Sequence, residues 1–137
     1  MSTPNSKGPA RVQLVPDAQR IPSVTVPKEL EGEARASFLA DVIRKGTSWA
    51  ESGPNGADLR NALRHSTTSF LTDQWRQGAL LGRTPDEAFY VICDDTNNTP
   101  TTIDGGRVIC DIGVAPVRPA EFVHFTITQI AGEPGRS

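Results

Sequence analysis

Residues Val114–Glu133 read VAPVRPAEFVHFTITQIAGE. Residues Phe122 to Ile130 form an almost unbroken strand pattern, with apolar and polar side chains alternating from Val123 to Thr128. Val123, Phe125 and Ile127 fall on one side, and Phe122, His124, Thr126 and Thr128 on the other, which is the period of a β-strand. Pro116 and Pro119 stand directly ahead. Proline has no N–H and cannot donate to a ladder, so this strand follows a segment that cannot pair normally. Such a strand needs partners from the rest of the chain, or from another chain.

Two partners lie upstream. Gly105-Gly106 introduces Arg107–Val114, where Val108, Cys110, Ile112 and Val114 share a face. Phe89-Tyr90-Val91-Ile92-Cys93 is a shorter strand, followed by the turn-forming run Asp94–Pro100, DDTNNTP. Thr84-Pro85-Asp86-Glu87 has the composition of a helix start: a capping hydroxyl, proline in the first turn, then acidic residues.

Two longer helices precede these strands. In Glu33–Glu51, Ala34, Phe38, Val42 and Trp49 recur at helical spacing, and Leu39 and Ile43 widen the stripe. Ser52–Gly56, SGPNG, breaks the pattern. Asp58 is placed to cap a second helix with Leu59, Leu63, Phe70, Leu71 and Trp75 on its apolar face; Gly78 marks its end. A short connection makes the pair antiparallel. The predicted class is α+β: an antiparallel helix pair packed on a small, mainly antiparallel sheet.

The N-terminal segment differs in kind. Residues 1–10 are polar and carry Pro4, Gly8 and Pro9. Arg11–Pro27 holds Val12, Leu14, Val15, Ile21, Val24 and Val26, cut by Pro16, Pro22 and Pro27. Prolines confine strand-like stretches to sheet edges or extended arms. The predicted organisation is a flexible tail and arm over 1–30, a domain over 31–131 and a flexible tail over 132–137. A three-stranded sheet leaves its edges exposed. An arm at one end and a strand at the other are suited to adding strands to a neighbouring sheet, which is a means of assembly.

The 137 residues make one domain of ordinary size, and 36% hydrophobic content is enough for one core. With 14 basic and 16 acidic residues there is no basic face of the kind nucleic acid requires. No run approaches the roughly 18 apolar residues of a membrane span, and the polar N-terminus is no secretory signal. The expectation is a protein made in the cytoplasm, binding neither nucleic acid nor membrane.

Candidate chemistry is sparse. Asp94, Asp95, Asp104 and Asp111 could hold a hard cation, but DDTNNTPTTIDGG lacks EF-hand spacing, and Asp and Asn also serve turns locally. His65 and His124 accompany no nucleophile motif. Cys93 and Cys110 can neighbour each other on adjacent strands; in a reducing compartment they read as small buried hydrophobes. No phosphate-binding glycine motif is present. Arg60 and Arg64, four apart on one helix face, either line a solvated surface or dock an acidic protein. The expectation is no catalytic residue, no metal site and no cofactor.

Three stretches carry a resemblance. GTSWAESGPNGADLRNAL (46–63), FLTDQWRQGALLGRTPDEAFYVICDDTNNT (70–99) and IDGGRVICDIGVAPVRPAEFVHFTI (103–127) resemble the C-terminal domain of contractile phage tail sheath proteins. They are also similar to sheaths of extracellular contractile injection systems and R-type bacteriocins. The matching positions include Trp49, Pro54, Asn55, Trp75, Gly78, Gly82, Pro85, Phe89, Cys93, Asn98 and the run Gly113–Val123. The resemblance implies a structural subunit of a phage tail or tail-like particle, assembled in the cytoplasm as rings around an inner tube by intersubunit strand exchange. An adaptor or terminator docked on the sheath end or baseplate is the alternative. The implied partners are other sheath subunits, the inner tube, and baseplate or cap proteins. The implied subunit interface comprises Val12, Leu14, Ile21, Val24, Val26 and Phe122, Val123, His124, Phe125, Thr126 and Ile127. Pro116 and Pro119 become hinges, and Arg60 and Arg64 face the tube.

Overall fold

The computed structural model describes residues 15–115 and 122–134. In chain order they form α1 (Gly32–Gly46), β1 (Pro54–Asn55), α2 (Ala57–Arg76), α3 (Pro85–Ala88), β2 (Phe89–Ile92), α4 (Pro100–Asp104), β3 (Arg107–Val114), β4 (Val123–Ile130) and β5 (Gly132–Pro134). Short 3₁₀ turns occupy Asp17–Gln19 and Ser48–Ser52. The class is α+β, as the residue patterns predict.

The main sheet is antiparallel, with order β2-β3-β4. One face is closed by the helices: α1 lies against β4 and α2 against β2. Val108, Cys110, Ile112 and Val114 of β3 are buried there together with Ile127 of β4, while Val123 and Phe125 pack at the margin. The strand phases follow from the alternation alone.

α1 differs in phase from the predicted stripe. Its buried positions are Gly32, Arg35, Ala36, Leu39, Ala40 and Ile43; Ala34 is exposed, and Phe38 and Val42 lie half-buried on the flank. A charged residue takes an inward position because the Arg35 guanidinium donates to two backbone carbonyls, Leu30 O at 2.8 Å and Ala79 O at 3.0 Å. Buried charge is tolerated when hydrogen-bonded in this way. α1 stops at Gly46, so Trp49 belongs to the following 3₁₀ turn rather than to the helix.

α2 begins at Ala57 with Gly56 as N-cap, and Asp58 sits in the first turn instead of capping. Leu59, Leu63, Phe70 and Leu71 are buried as predicted, joined by Ser66, Thr67 and Gln74. Gly78 has φ +88°, the left-handed conformation that ends helices cheaply only at glycine. Trp75 Nε1 donates to Gly82 O at 2.8 Å and fixes the chain's exit. Thr84 is the N-cap of α3, but its hydroxyl caps nothing; the Glu87 carboxylate instead accepts from Arg83 N–H.

The arm is more tightly bound than a flexible segment. Ile21 and Val26 are buried in the same core as the helices, and Val24 packs against it. Gln74 Nε2 donates to Val24 O at 2.9 Å, and the Ser23 hydroxyl donates to Asp73. At Gly46 an added Cβ would lie 2.8 Å from the Ile21 side chain, so glycine permits this close approach to α1. The packed domain therefore begins well before residue 31. It also extends past residue 131, because β5 pairs in parallel with β1 in a second, two-stranded sheet. Val12, Leu14, Pro116 and Pro119 lie outside the described residues.

Candidate functional site

β4 is an edge strand, and its backbone polarity can be read from the ladder ends. Ala131 N–H donates to Gly106 O beside the pair Arg107↔Ile130. Hydrogen-bonded and non-hydrogen-bonded pairs alternate in an antiparallel ladder. Val123, Phe125, Ile127 and Gln129 therefore bond to β3. His124, Thr126, Thr128 and Ile130 direct their N–H and C=O groups away from it. No backbone group among the described residues pairs with that outer side.

The predicted interface residues thus separate. Val123, Phe125 and Ile127 turn side chain and backbone inward. His124 and Thr126 present side chains to the uncovered sheet face and backbone groups to the open edge, and so do Thr128 and Ile130, which the prediction omitted. Their place in the alternation was the available signal. Of the arm residues, Ile21 and Val26 are spent on the domain's own core.

The uncovered face holds an aromatic cluster. Tyr90, Gly113 and His124 form one row across three strands. Gly113 has no side chain, and a Cβ there would lie 2.3 Å from Tyr90 Cε2, so the ring lies over the glycine. The Tyr90 hydroxyl and His124 Nδ1 share a hydrogen bond of 2.6 Å. The Phe122 ring stacks on Tyr90 at 6.0 Å between centroids and is 40% exposed. Leu81, Ile92 and Ile130 are also exposed, the last at 59%.

Arg60 and Arg64 are committed to the loop after β2. Arg60 Nη2 pairs with Asp95 at 2.8 Å, and its side chain is only 10% exposed. Arg64 Nη2 donates to Asn61 Oδ1 at 2.8 Å, with a long 3.4 Å contact from Nη1 to Cys93 O. In the same loop, the Thr96 hydroxyl and amide both donate to the Asp94 carboxylate and hold its pKa below the usual carboxylate range. Asp111 accepts from Thr126 and Asn97. Asp94 and Asp111 are thus used in turn and cross-strand bonds and Asp95 in an ion pair, and the described residues contain no cluster of three or more His, Cys, Asp or Glu able to hold a metal.

Comparison with known proteins places this geometry. The phage tail sheath C-terminal domain model matches residues 34–130. One similar solved chain is in the sheath complex of PVC, an extracellular contractile injection system, in its contracted state. It is 31% identical with a TM-score of 0.57, over 66% of this chain and 26% of that one. Another is in the baseplate of the anti-feeding prophage, AFP, at 29% identity and a TM-score of 0.56, with the same coverage of each chain. This chain thus spans about a quarter of either neighbour's length. No curated protein matches significantly. On the family match over most of its length, the chain belongs to the phage tail sheath C-terminal domain family.

Proposed function

We propose that the chain is a structural subunit of a contractile sheath, assembling as rings around an inner tube by strand addition along the outer edge of β4. The role is mechanical, with no catalytic step and no cofactor. The observation that carries this reading is the composition of that edge. β4 is eight residues long, VHFTITQI, with no lysine, no acidic residue and no proline. Monomeric proteins blunt a long edge with such residues because an open edge templates pairing. An undefended edge fits a strand that receives a partner. The arm, through Val12 and Leu14, is the segment to be donated, with Pro116 and Pro119 as hinges. Other sheath subunits, the tube, and baseplate or cap proteins are the partners, in a phage tail or tail-like particle assembled in the cytoplasm.

The test follows from the backbone polarity. Thr128→Pro removes an N–H that faces the open edge and leaves the β3–β4 ladder intact. It is expected to abolish assembly while keeping a cooperative unfolding transition. Phe125→Pro removes an N–H that bonds within the β3–β4 ladder and is expected to lower the unfolding midpoint of the domain itself. Negative-stain microscopy of the Thr128→Pro protein decides: rings or tubules as in the parent sink the edge-pairing reading.

The AFP baseplate neighbour favours a second reading, an adaptor or terminator docked on the sheath end or baseplate. Rings from the purified protein alone support the subunit; a monomer that decorates only the ends of preformed sheath supports the terminator.

The arginines need separating in any test of tube docking. Arg60→Glu places a carboxylate beside Asp95 in a mostly buried position, and the expected cost is on the order of 2 kcal/mol, discounted because Asp95 itself is exposed. Arg64→Glu is expected to leave the melting temperature nearly unchanged. If this face meets an acidic tube surface, Arg64→Glu weakens co-sedimentation with tube; equal binding returns Arg64 to a loop-bracing role.

A further inference from the structure

Cys93 and Cys110 are both free and buried, 0% and 4% exposed. The β2–β3 register pairs Phe89 with Val114, Tyr90 with Gly113, Val91 with Ile112 and Ile92 with Asp111. The next step of that register sets Cys93 opposite Cys110, one residue beyond the end of β2. Which kind of pair it is follows from the bonds on either side. Ala115 N–H donates to Ala88 O at one end of the ladder. At the other, Ile109 exchanges both backbone bonds with the Asn98 side-chain amide, at 2.8 and 2.9 Å. The odd-numbered residues of β3 therefore bond toward β2, and Cys93–Cys110 is a non-hydrogen-bonded pair. Such pairs hold their Cα atoms about 4.5 Å apart, within the 4.4–6.8 Å that a disulfide spans. Both side chains point into the core, so the thiols face each other.

We infer that Cys93 and Cys110 form a reversible cross-strand disulfide that fastens the Asp94–Thr99 loop to β3 when the protein meets an oxidising thiol–disulfide pool. The oxidant is a small-molecule disulfide such as oxidised glutathione. One cysteine thiolate attacks a sulfur of the small disulfide and expels one small thiolate, giving a mixed disulfide. The second cysteine thiolate then attacks the protein sulfur and expels the other. The two protons leave the cysteines and end on the two small thiols: the protein pair is oxidised by two electrons and the small disulfide reduced.

The folded state makes this slow. Hydrogen bonding with the Cys93 thiol, then burial, push the Cys110 thiol's pKa well above its ordinary value, and the nearby Asp111 charge adds to the rise while Arg64 opposes it. Thiolate is the reactive form. Exchange therefore proceeds through openings that lift the loop off Ile109, and reclosure brings the second thiol into position.

The test uses the unmodified protein, incubated natively with oxidised glutathione and then alkylated under denaturing conditions. Intact mass is expected to fall by two hydrogens, with one cross-linked peptide pair containing Cys93 and Cys110. The melting temperature is expected to rise by roughly 10 °C, because the bridge closes a loop within the unfolded chain, and dithiothreitol should reverse both changes. Cys93→Ala and Cys110→Ala proteins are expected to show neither change. Two unmodified thiols after long incubation, a stable glutathione adduct, or a bridge between molecules would each overturn the inference. So would a bridge that forms only in denaturant.

Discussion

Deletion of residues 1–27 is expected to destabilise the domain by about 5 kcal/mol or more. The segment buries Ile21 and Val26, each worth about 1.5–3 kcal/mol. Its loss also removes the hydrogen bond from the Gln74 amide to Val24 O, worth about 0.5–1.5 kcal/mol. That sum is comparable with the whole stability of an ordinary domain. Urea unfolding checks it. The single change Ile21→Ala is expected to cost about 2–4 kcal/mol by leaving a cavity against α1. A truncated protein that unfolds at the parent's midpoint would contradict this packing. Because Ile21 and Val26 belong to the domain's own core, residues 1–14 are the segment to delete when testing the proposed strand donation.

Asn98→Ala should cost about 2–4 kcal/mol, a large effect for a loop residue. The Asn98 side chain is 3% exposed. Its Nδ2 donates to Asp94 O, Ile109 O and Asn97 Oδ1, and its Oδ1 accepts from Ile109 N–H. In the ladder register, position 94 would have paired with Ile109, but the chain has already turned away there. The amide replaces a backbone partner, with donor and acceptor in the order a strand would supply. Alanine removes all four bonds and leaves Ile109 unpaired on that side. Asn98→Asp keeps the acceptor but sets a carboxylate against two carbonyl oxygens, so it is expected to be at least as damaging. Denaturant unfolding of both variants decides; if the aspartate protein matches the parent, the amide does not act as a surrogate strand.

Much of the sheet could be read directly from the residues. The alternation in Phe122–Ile130 and Arg107–Val114 has a period of two, and one buried side fixes its phase. The same alternation, once one ladder bond is located, tells which N–H groups of β4 face outward. The helix of α1 was less legible: Arg35 lies inside because two carbonyls from other segments accept from it, and no local spacing reports a distant acceptor. The cysteine pair was legible only as a possibility, since its alignment depends on the β2–β3 register.

Period, phase and the identity of the core-facing residues in the strands were therefore determined by the sequence itself, because side-chain alternation is a local property of the chain. The tertiary structure decided the rest. The described part of the proline-cut segment, residues 15–27, makes no ladder of its own, so only the groove beside α1 and α2 could determine that Ile21 and Val26 complete this core instead of a neighbour's. Gly132–Pro134 became a strand only because Pro54–Asn55 lay within reach. Asn98 became a ladder partner only because β3 ran past it with an unmatched N–H and C=O. Each case turns on contacts with another segment, apolar packing for Ile21 and Val26, a backbone ladder for Gly132–Pro134 and a side-chain amide for Asn98, whose formation depends on where the fold brings the partners.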